Sequence, residues 1–420
     1  WWTILAYLPF AFSPVIYAHC LKFFFHYFAL QGPAMKTAVA ISRDPDARSA
    51  ARDVAAQVSD ALGIPPEALI IFAAPSFAHA DLLHEIGNAF PGCLVVGSSS
   101  AGEFMNGEQG AGAVCAIGLS GPDARFSVAI GSGVRQDPAA AANKIVSGFK
   151  GLAEHDFPFR SALVMTDALA GHAEILVEEL TVGTAGQYQF FGGGAGDNAE
   201  FRQTTVFCGQ EVLSDAAVAL EILSTKPIGV GVQHGWEPAS IAYRVTETDG
   251  MRLISLNGLP AAEAFEAHAE ATAQSLDKSA PIPFFLHNIL GIDTGAGYRL
   301  RVPLAIQDDG SVLCAAEVPQ ESVVRIMRST PVSAMQAAKH ATQSALAALG
   351  DYKPQAAIFF DCVATRLRLG NHFQEEVATV RSELSGAAIV GCNTHGQIAR
   401  AEGQFGGFHN CTAVVAVFPE

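Results

Sequence analysis

The sequence predicts an α/β fold with α+β mixed sheets, arranged as two intimately packed, partly repeated halves. Three observations predict it. Short apolar runs alternate with Ala-rich stretches of helical period, which excludes all-α and sandwich folds. Adjacent strand runs over 204–246 and 299–327 require antiparallel pairing beside any parallel strands. One local pattern, a helix followed by a buried strand, Gly and small polar residues, occurs near both ends of the chain.

In chain order, the apolar runs place strands at 37–42, 69–73, 93–97, 113–119, 126–131, 161–166, 188–192, 204–208, 216–223, 228–233 and 239–246. Later strands fall at 299–306, 311–316, 322–327, 356–362, 387–391 and 411–418. Helices are expected at 46–62, 78–90, 138–154, 171–182, 259–274, 332–349 and 371–385. The first shows the reason: Val54, Val58, Ala61 and Leu62 make an i, i+4, i+7, i+8 stripe.

Half of the 420 residues are hydrophobic and 16% are charged, enough apolar material for a large core and too little charge for general disorder. Asp and Glu total 41 against 25 Lys and Arg, a net charge of −16, so nucleic acid and anionic membrane surfaces are poor partners. None of the 8 cysteines forms a C-x-x-C pair; Cys93, Cys115, Cys314 and Cys362 lie in or beside apolar runs and read as buried reduced thiols, which points to the cytoplasm. Residues 1–34 stand apart as a hydrophobic leader whose single charge is Lys22. Trp1 to Leu21 is just long enough to span a bilayer, but Pro9 and Pro14 would kink it and no basic n-region precedes it. It reads as translated upstream sequence, with a membrane anchor as the alternative; Met35-Lys36-Thr37 then opens a clean strand.

The repeated pattern is Leu94-Val95-Val96-Gly97-Ser98-Ser99-Ser100-Ala101-Gly102-Glu103 in one half and Ala388-Ile389-Val390-Gly391-Cys392-Asn393-Thr394-His395-Gly396-Gln397 in the other. Phe190-Phe191-Gly192-Gly193-Gly194-Ala195-Gly196-Asp197-Asn198 is a third strand-to-glycine turn. A strand that delivers a loop with little side-chain bulk lets backbone N–H groups and small hydroxyls approach a ligand closely. The expectation is one site where the three loops converge at strand ends, built from Gly97, Ser98, Ser99, Ser100, Glu103, Gly193, Asp197, Asn198, Asn393, Thr394, His395 and Gln397. Arg366 could pair a ligand carboxylate bidentately, and a structural ion pair explains it equally well.

These loops, in order, resemble the FIST family, the sensory domain named for F-box and intracellular signal transduction proteins. Val96 to Phe104 is similar to that family's G-C-S-T-A-G-E-I signature, and Phe191 to Asp197 to its G-G-x-A-G-D turn. Gly231 to Pro238, then Val245-Thr246 and Leu259-Pro260-Ala261, is similar to the segment joining its two parts; Pro319-Gln320-Glu321-Ser322 resembles a later P-E-G-S turn. Asp361-Cys362-Val363 with Arg366, Glu375-Glu376, Gly391 to Gln397 and His409-Asn410-Cys411-Thr412 resemble its C-terminal half. Gln397, Thr365 and Cys411 depart from the usual Glu, Arg and Gln. The resemblance implies an N-terminal domain over 35–258 and a C-terminal domain over 259–420.

It also implies a non-catalytic bacterial-type sensor of a small metabolite such as an amino acid, signalling to a separate output protein. Some members look like haem-based nitric-oxide sensors that regulate a histidine kinase or cyclic-di-nucleotide enzyme, so haem is the alternative ligand, with His234, His287, His395 and His409 as nonhelical candidates. A serine acyl hydrolase is the remaining alternative, because Ser98-Ser99-Ser100-Ala101-Gly102 follows a strand; the strict G-x-S-x-G is absent. No P-loop, H-E-x-x-H or EF-hand pattern occurs, so no metal site is expected.

Overall fold

The computed structural model describes residues 34–154, 156–401 and 406–420. The leader, apart from Ala34, lies outside the described residues. The fold is mixed α/β, and its body is one chain path run three times. The first unit is β1 (Lys36–Ser42), α1 (Ala47–Leu62), β2 (Ala68–Ala73), α2 (His79–Ala89), β3 (Leu94–Ser99), the hairpin β4 (Glu103–Met105) and β5 (Glu108–Gly110), and β6 (Val114–Ser120). The second is β7 (Ala124–Ser132), α3 (Pro138–Gly148), β8 (Phe159–Thr166), α4 (Ala173–Gly183), β9 (Gln189–Gly194), the hairpin β10 (Val206–Cys208) and β11 (Glu211–Leu213), and β12 (Ala216–Ser224).

The third unit opens with β13 (Gly229–Gln233) and is interrupted by an insert. That insert holds β14 (Glu237–Pro238), β15 (Tyr243–Asp249), β16 (Arg252–Leu256), β17 (Leu259–Pro260), α5 (Ala261–Ala271), α6 (Ile282–Phe285), β18 (Ile289–Asp293), β19 (Tyr298–Arg301), β20 (Pro303–Ile306), β21 (Val312–Cys314) and β22 (Val323–Arg328). The unit resumes with α7 (Pro331–Leu349), β23 (Pro354–Cys362), α8 (Val363–Leu369), α9 (Phe373–Glu383), β24 (Ala388–Thr394), the hairpin β25 (Gln397–Arg400) and β26 (Gly406–His409), and β27 (Ala413–Pro419).

Each unit builds the same four-stranded order, β1-β6-β2-β3, β7-β12-β8-β9 and β13-β27-β23-β24. Each sheet is then completed by a neighbour's hairpin. β10 and β11 extend β3, β25 and β26 extend β9, and β4 and β5 extend β24, so the exchange closes in a ring. The inner faces share one core, in which Phe72 and Phe360 meet edge-on at 5.5 Å and Phe191 and Phe418 at 6.3 Å. Helices cover the outer faces. The helices obey local rules: Asp46 caps α1 by accepting the Ser49 N–H at 2.8 Å, and Gly63 ends it at φ +67°.

The insert is locked to the second unit by a buried ion pair. Arg301 of β19 is 1% exposed, and its Nη2 lies 2.5 Å from Glu174 Oε2 on α4. Its Nε donates to Glu317 O at 2.8 Å.

The structure departs from the expected elements in informative ways. The three glycine segments are strand, not loop: β3 runs through Ser99, β9 through Gly194 and β24 through Thr394. Their small residues answer a close approach of the parallel neighbour strand. A Cβ on Gly192, where φ is +142°, would lie 2.0 Å from Val164 O; one on Gly391 would lie 2.0 Å from Phe359 O. The helix expected over 138–154 ends at Gly148, because the buried Glu221 carboxylate accepts the N–H groups of Lys150 and Gly151 at 2.9 Å and turns the chain. The run 299–306 divides into β19 and β20 at Val302. Helix α8, and the exchanged strands β4, β5, β11, β25 and β26, were not among the expected elements.

Candidate functional site

The three strand ends meet at a hub made of backbone. Gly196 N–H donates to Ser99 O at 2.9 Å and joins the second unit to the first. Ala101 N–H donates to Asn393 O at 2.9 Å and joins the first to the third. Gly194 N–H donates to Gly396 O at 2.9 Å, and His395 N–H to Gly194 O at 3.0 Å, closing the ring. The segments carrying Gly97, Gly193 and Gly391 therefore converge.

Most of the predicted polar residues are consumed in building that hub. Ser98 is fully buried. Ser99 Oγ accepts the Thr205 N–H at 3.0 Å, and Ser100 Oγ donates to Glu103. Among the described residues neither hydroxyl is hydrogen-bonded to a histidine, and Ser98 Oγ has no partner. Asp197 accepts the N–H groups of Phe201, Arg202 and Gln203 at 3.0, 2.7 and 3.1 Å, a closed turn. Asn198 adopts φ +59° beside it. Gln397 Nε2 donates to Thr394 Oγ1 at 2.9 Å, and its Oε1 accepts the Thr412 N–H at 3.3 Å. The missing charge at Gln397 thus serves internal bonding.

Three of the predicted residues come together at one cavity. Glu103, Arg366 and Asn393 line one cavity of about 390 Å³, with Phe104, Leu367 and Phe373 on its apolar side. The cavity lies between the first and third units, where β23 has passed into α8 beside the exchanged hairpin β4–β5. Asn393 is fully buried, yet neither its Oδ1 nor its Nδ2 has a hydrogen-bond partner among the described residues. Such an amide is costly to leave unpaired. Burial pushes the Glu103 carboxyl above its usual range, while Ser100, the Ala113 N–H (2.9 Å) and the Arg366 charge pull it back. Burial also lowers Arg366, against the pull of Glu103. Gly102 makes this possible: at φ +137°, a Cβ there would sit 2.1 Å from Arg366 Nη1 and 2.8 Å from Asn393 Oδ1. A cation, a carboxylate and an unpaired amide around an apolar wall can hold a zwitterion by both ends.

Two of the remaining predicted residues, Asp197 and His395, line cavities at the other two junctions between units. Asp197 lines an open one of about 570 Å³ with His79, Arg202 and Thr205, between the first and second units. His395 lines one of about 140 Å³ between the second and third, roofed by the insert. Its ring stacks on Phe201 at 4.8 Å and its side chain is 5% exposed. Burial brings its pKa down to about 4, with Asp197, 3.4 Å away, opposing.

His234, His395 and His409 do not fit haem. Drug-sized ligands fill roughly 300–1,000 Å³, and the space facing His395 is about 140 Å³. His234 Nε2 is already 2.9 Å from Tyr298 O. His409 is 4% exposed beside Arg299 and Arg301, which with burial bring it down to about 3.

Sequence reasoning named the motif Asp361-Cys362-Val363 with Glu376 but assigned it no place. In the structure Asp361, at the end of β23, and Glu376 of α9 are both buried, and each keeps one carboxyl oxygen without a hydrogen-bond partner among the described residues: burial and the facing carboxyl raise Asp361, and burial raises Glu376 to about 7. Two acids separated by a strand end and a helix in an α/β protein were the available signal.

The FIST N domain model matches residues 67–259, and the FIST C domain model matches residues 261–400. A search of curated proteins finds no match. Among solved structures, a cyanuric acid hydrolase from A. caulinodans is similar at 9% identity and TM-score 0.30, over 92% of this chain and 99% of that one. PurLQS from Thermotoga maritima is similar at 13% identity and TM-score 0.22, over 92% and 72%. T. maritima PurL complexed with FGAR is similar at 12% identity and TM-score 0.23, over 92% and 73%. Likeness at that level carries no argument. Among the described residues no helix is long and apolar enough to cross a membrane, and no group of three or more His, Cys, Asp or Glu is placed to hold a metal ion.

Proposed function

Because the chain belongs to the FIST family, whose domains serve sensing and signal transduction, we propose that it is a non-catalytic receptor for a free amino acid, bound between its first and third units. The observation that carries this reading is the convergence of Arg366, Glu103 and the unpaired Asn393 amide on one cavity of about 390 Å³. Arg366 suits the ligand carboxylate, Glu103 its ammonium group, and Asn393 either end. An ammonium ion would also return to Glu103 the stabilisation that burial removes. Phe104, Leu367 and Phe373 would take an apolar side chain.

Signalling follows from where the cavity sits. Its walls belong to different units, so a ligand that prefers one packing of them shifts that packing by its difference in affinity. The output belongs to a separate protein, a histidine kinase or a cyclic-di-nucleotide enzyme, in the cytoplasm.

The test is a thermal-shift screen of the free amino acids followed by calorimetry. A subset should raise the melting temperature with saturable dependence on concentration. That effect should vanish in Arg366→Met, whose own melting is otherwise preserved. A screen in which no amino acid stabilises the protein at millimolar concentration sinks the reading.

A further inference from the structure

The cavity between the second and third units is related by the repeat to the amino-acid cavity, yet its chemistry differs. Leu169 and Gly171 follow β8; Met251, Leu313 and Ala315 come from the insert. At about 140 Å³ it is close to an apolar cavity of about 150 Å³ that stays dry and binds benzene. Two reactive groups line it, the His395 imidazole and the Cys362 thiol. His395 Nε2 faces Asp197 Oδ1 at 3.4 Å, neither ring nitrogen forms a hydrogen bond among the described residues, and burial keeps the ring neutral, with one N–H to donate.

Cys362 is set apart from the other thiols. The Cys411 side chain foremost, then the polar groups of the Cys411 and Ala364 backbone and of Gln397, favour its thiolate. These groups outweigh burial and bring its pKa to about 6. Half-buried Cys93 is pushed up to about 12 by burial, and Cys208, Cys115 and Cys392 are also raised. A thiolate, not a thiol, is the nucleophile.

From Cys362 and His395 sharing one small apolar cavity, we infer that it is a covalent binding site for a small α,β-unsaturated carbonyl compound of about the size of a five-membered ring. The Cys362 sulfur bonds to the β-carbon while the C=C π pair moves through the conjugated system onto the carbonyl oxygen. The His395 N–H hydrogen-bonds that enolate. The α-carbon then takes a proton from water, replacing the proton the thiol gave to solvent. The net change is thiol plus enone to thioether, with no oxidant or reductant. This site is independent of the amino-acid cavity.

The probe is cyclopent-2-enone, applied to the full chain, with adducts located by peptide mass mapping. Cys362 should be alkylated at least about tenfold faster than Cys93 or Cys208. Its rate should saturate with enone concentration, and unreactive cyclopentanone should slow it without protecting the other two. Cys362→Ser should lose the adduct. His395→Phe should slow alkylation of Cys362 alone, in protein whose melting matches the parent. Reaction of Cys362 no faster than Cys93 and Cys208, or no protection by cyclopentanone, would overturn the assignment.

Discussion

The Asn393 N–H donates to Gly102 O at 2.8 Å, so the backbone of the residue that β24 offers to the proposed amino-acid cavity is held by the first unit. The side chains on the two sides of the cavity cannot separate without breaking that bond. Arg366→Lys keeps the charge but loses the planar fork. It should weaken amino-acid binding by about tenfold or more, the equivalent of roughly 1.5–3 kcal/mol for a hydrogen bond to a charged group. Asn393→Ala should do the same, and isothermal titration calorimetry reads both.

Gly192→Ala tests the close approach at the hub. A Cβ there meets Val164 O at 2.0 Å in backbone with φ +142°. Backbone must move, and the variant should lose on the order of 2–4 kcal/mol in urea denaturation. Gly63→Ala, at φ +67° with nothing within 4 Å, is the control and should cost about 1 kcal/mol.

Glu376→Gln tests the buried carboxyl that faces Asp361. Because the folded protein holds Glu376 at about 7, above its ordinary 4.5, it binds protons that the unfolded chain releases. Wild-type stability should therefore be full below pH 4.5 as far as this group is concerned, and decline toward pH 7. The variant should flatten that decline and be the more stable protein at pH 8, by on the order of 1–3 kcal/mol. Thermal melts across the pH range read the slope.

Glu174→Ala leaves Arg301 buried without its carboxylate. The expected cost is about 3–5 kcal/mol. The insert should also become the first segment cut in limited proteolysis. A variant cut in the same order as the parent would show that the insert is held by other contacts.

The sequence made some of this legible and hid the rest for physical reasons. Helix α1 was readable because its stripe is local: Val54, Val58 and Leu62 are buried as expected, whereas Ala61, counted in the stripe, is exposed. The glycine segments were recognisable, but their role was misread: a run such as Gly192-Gly193-Gly194 looks the same whether it turns in a loop or lets a strand slide close to its neighbour. Convergence of the three segments followed from their likeness. The division of their residues among separate cavities did not, because it depends on which unit lends a hairpin to which. Strands as short as Glu103–Met105 are too brief for a period to show, and their partners lie far along the chain.

The circular lending of hairpins sets an order on the birth of the protein. The first sheet has all its strands once Leu213 has left the ribosome, and the second waits for β26. The pair β4–β5 is made early, yet its host β24 is among the last strands synthesised. Until then Phe104, destined for the third unit's core, has nowhere to hide. Closing the ring is thus a single late event between distant parts of the chain, slow by its contact order and exposed to aggregation while it waits. A nascent chain stalled within α9 should engage chaperones through that early hairpin.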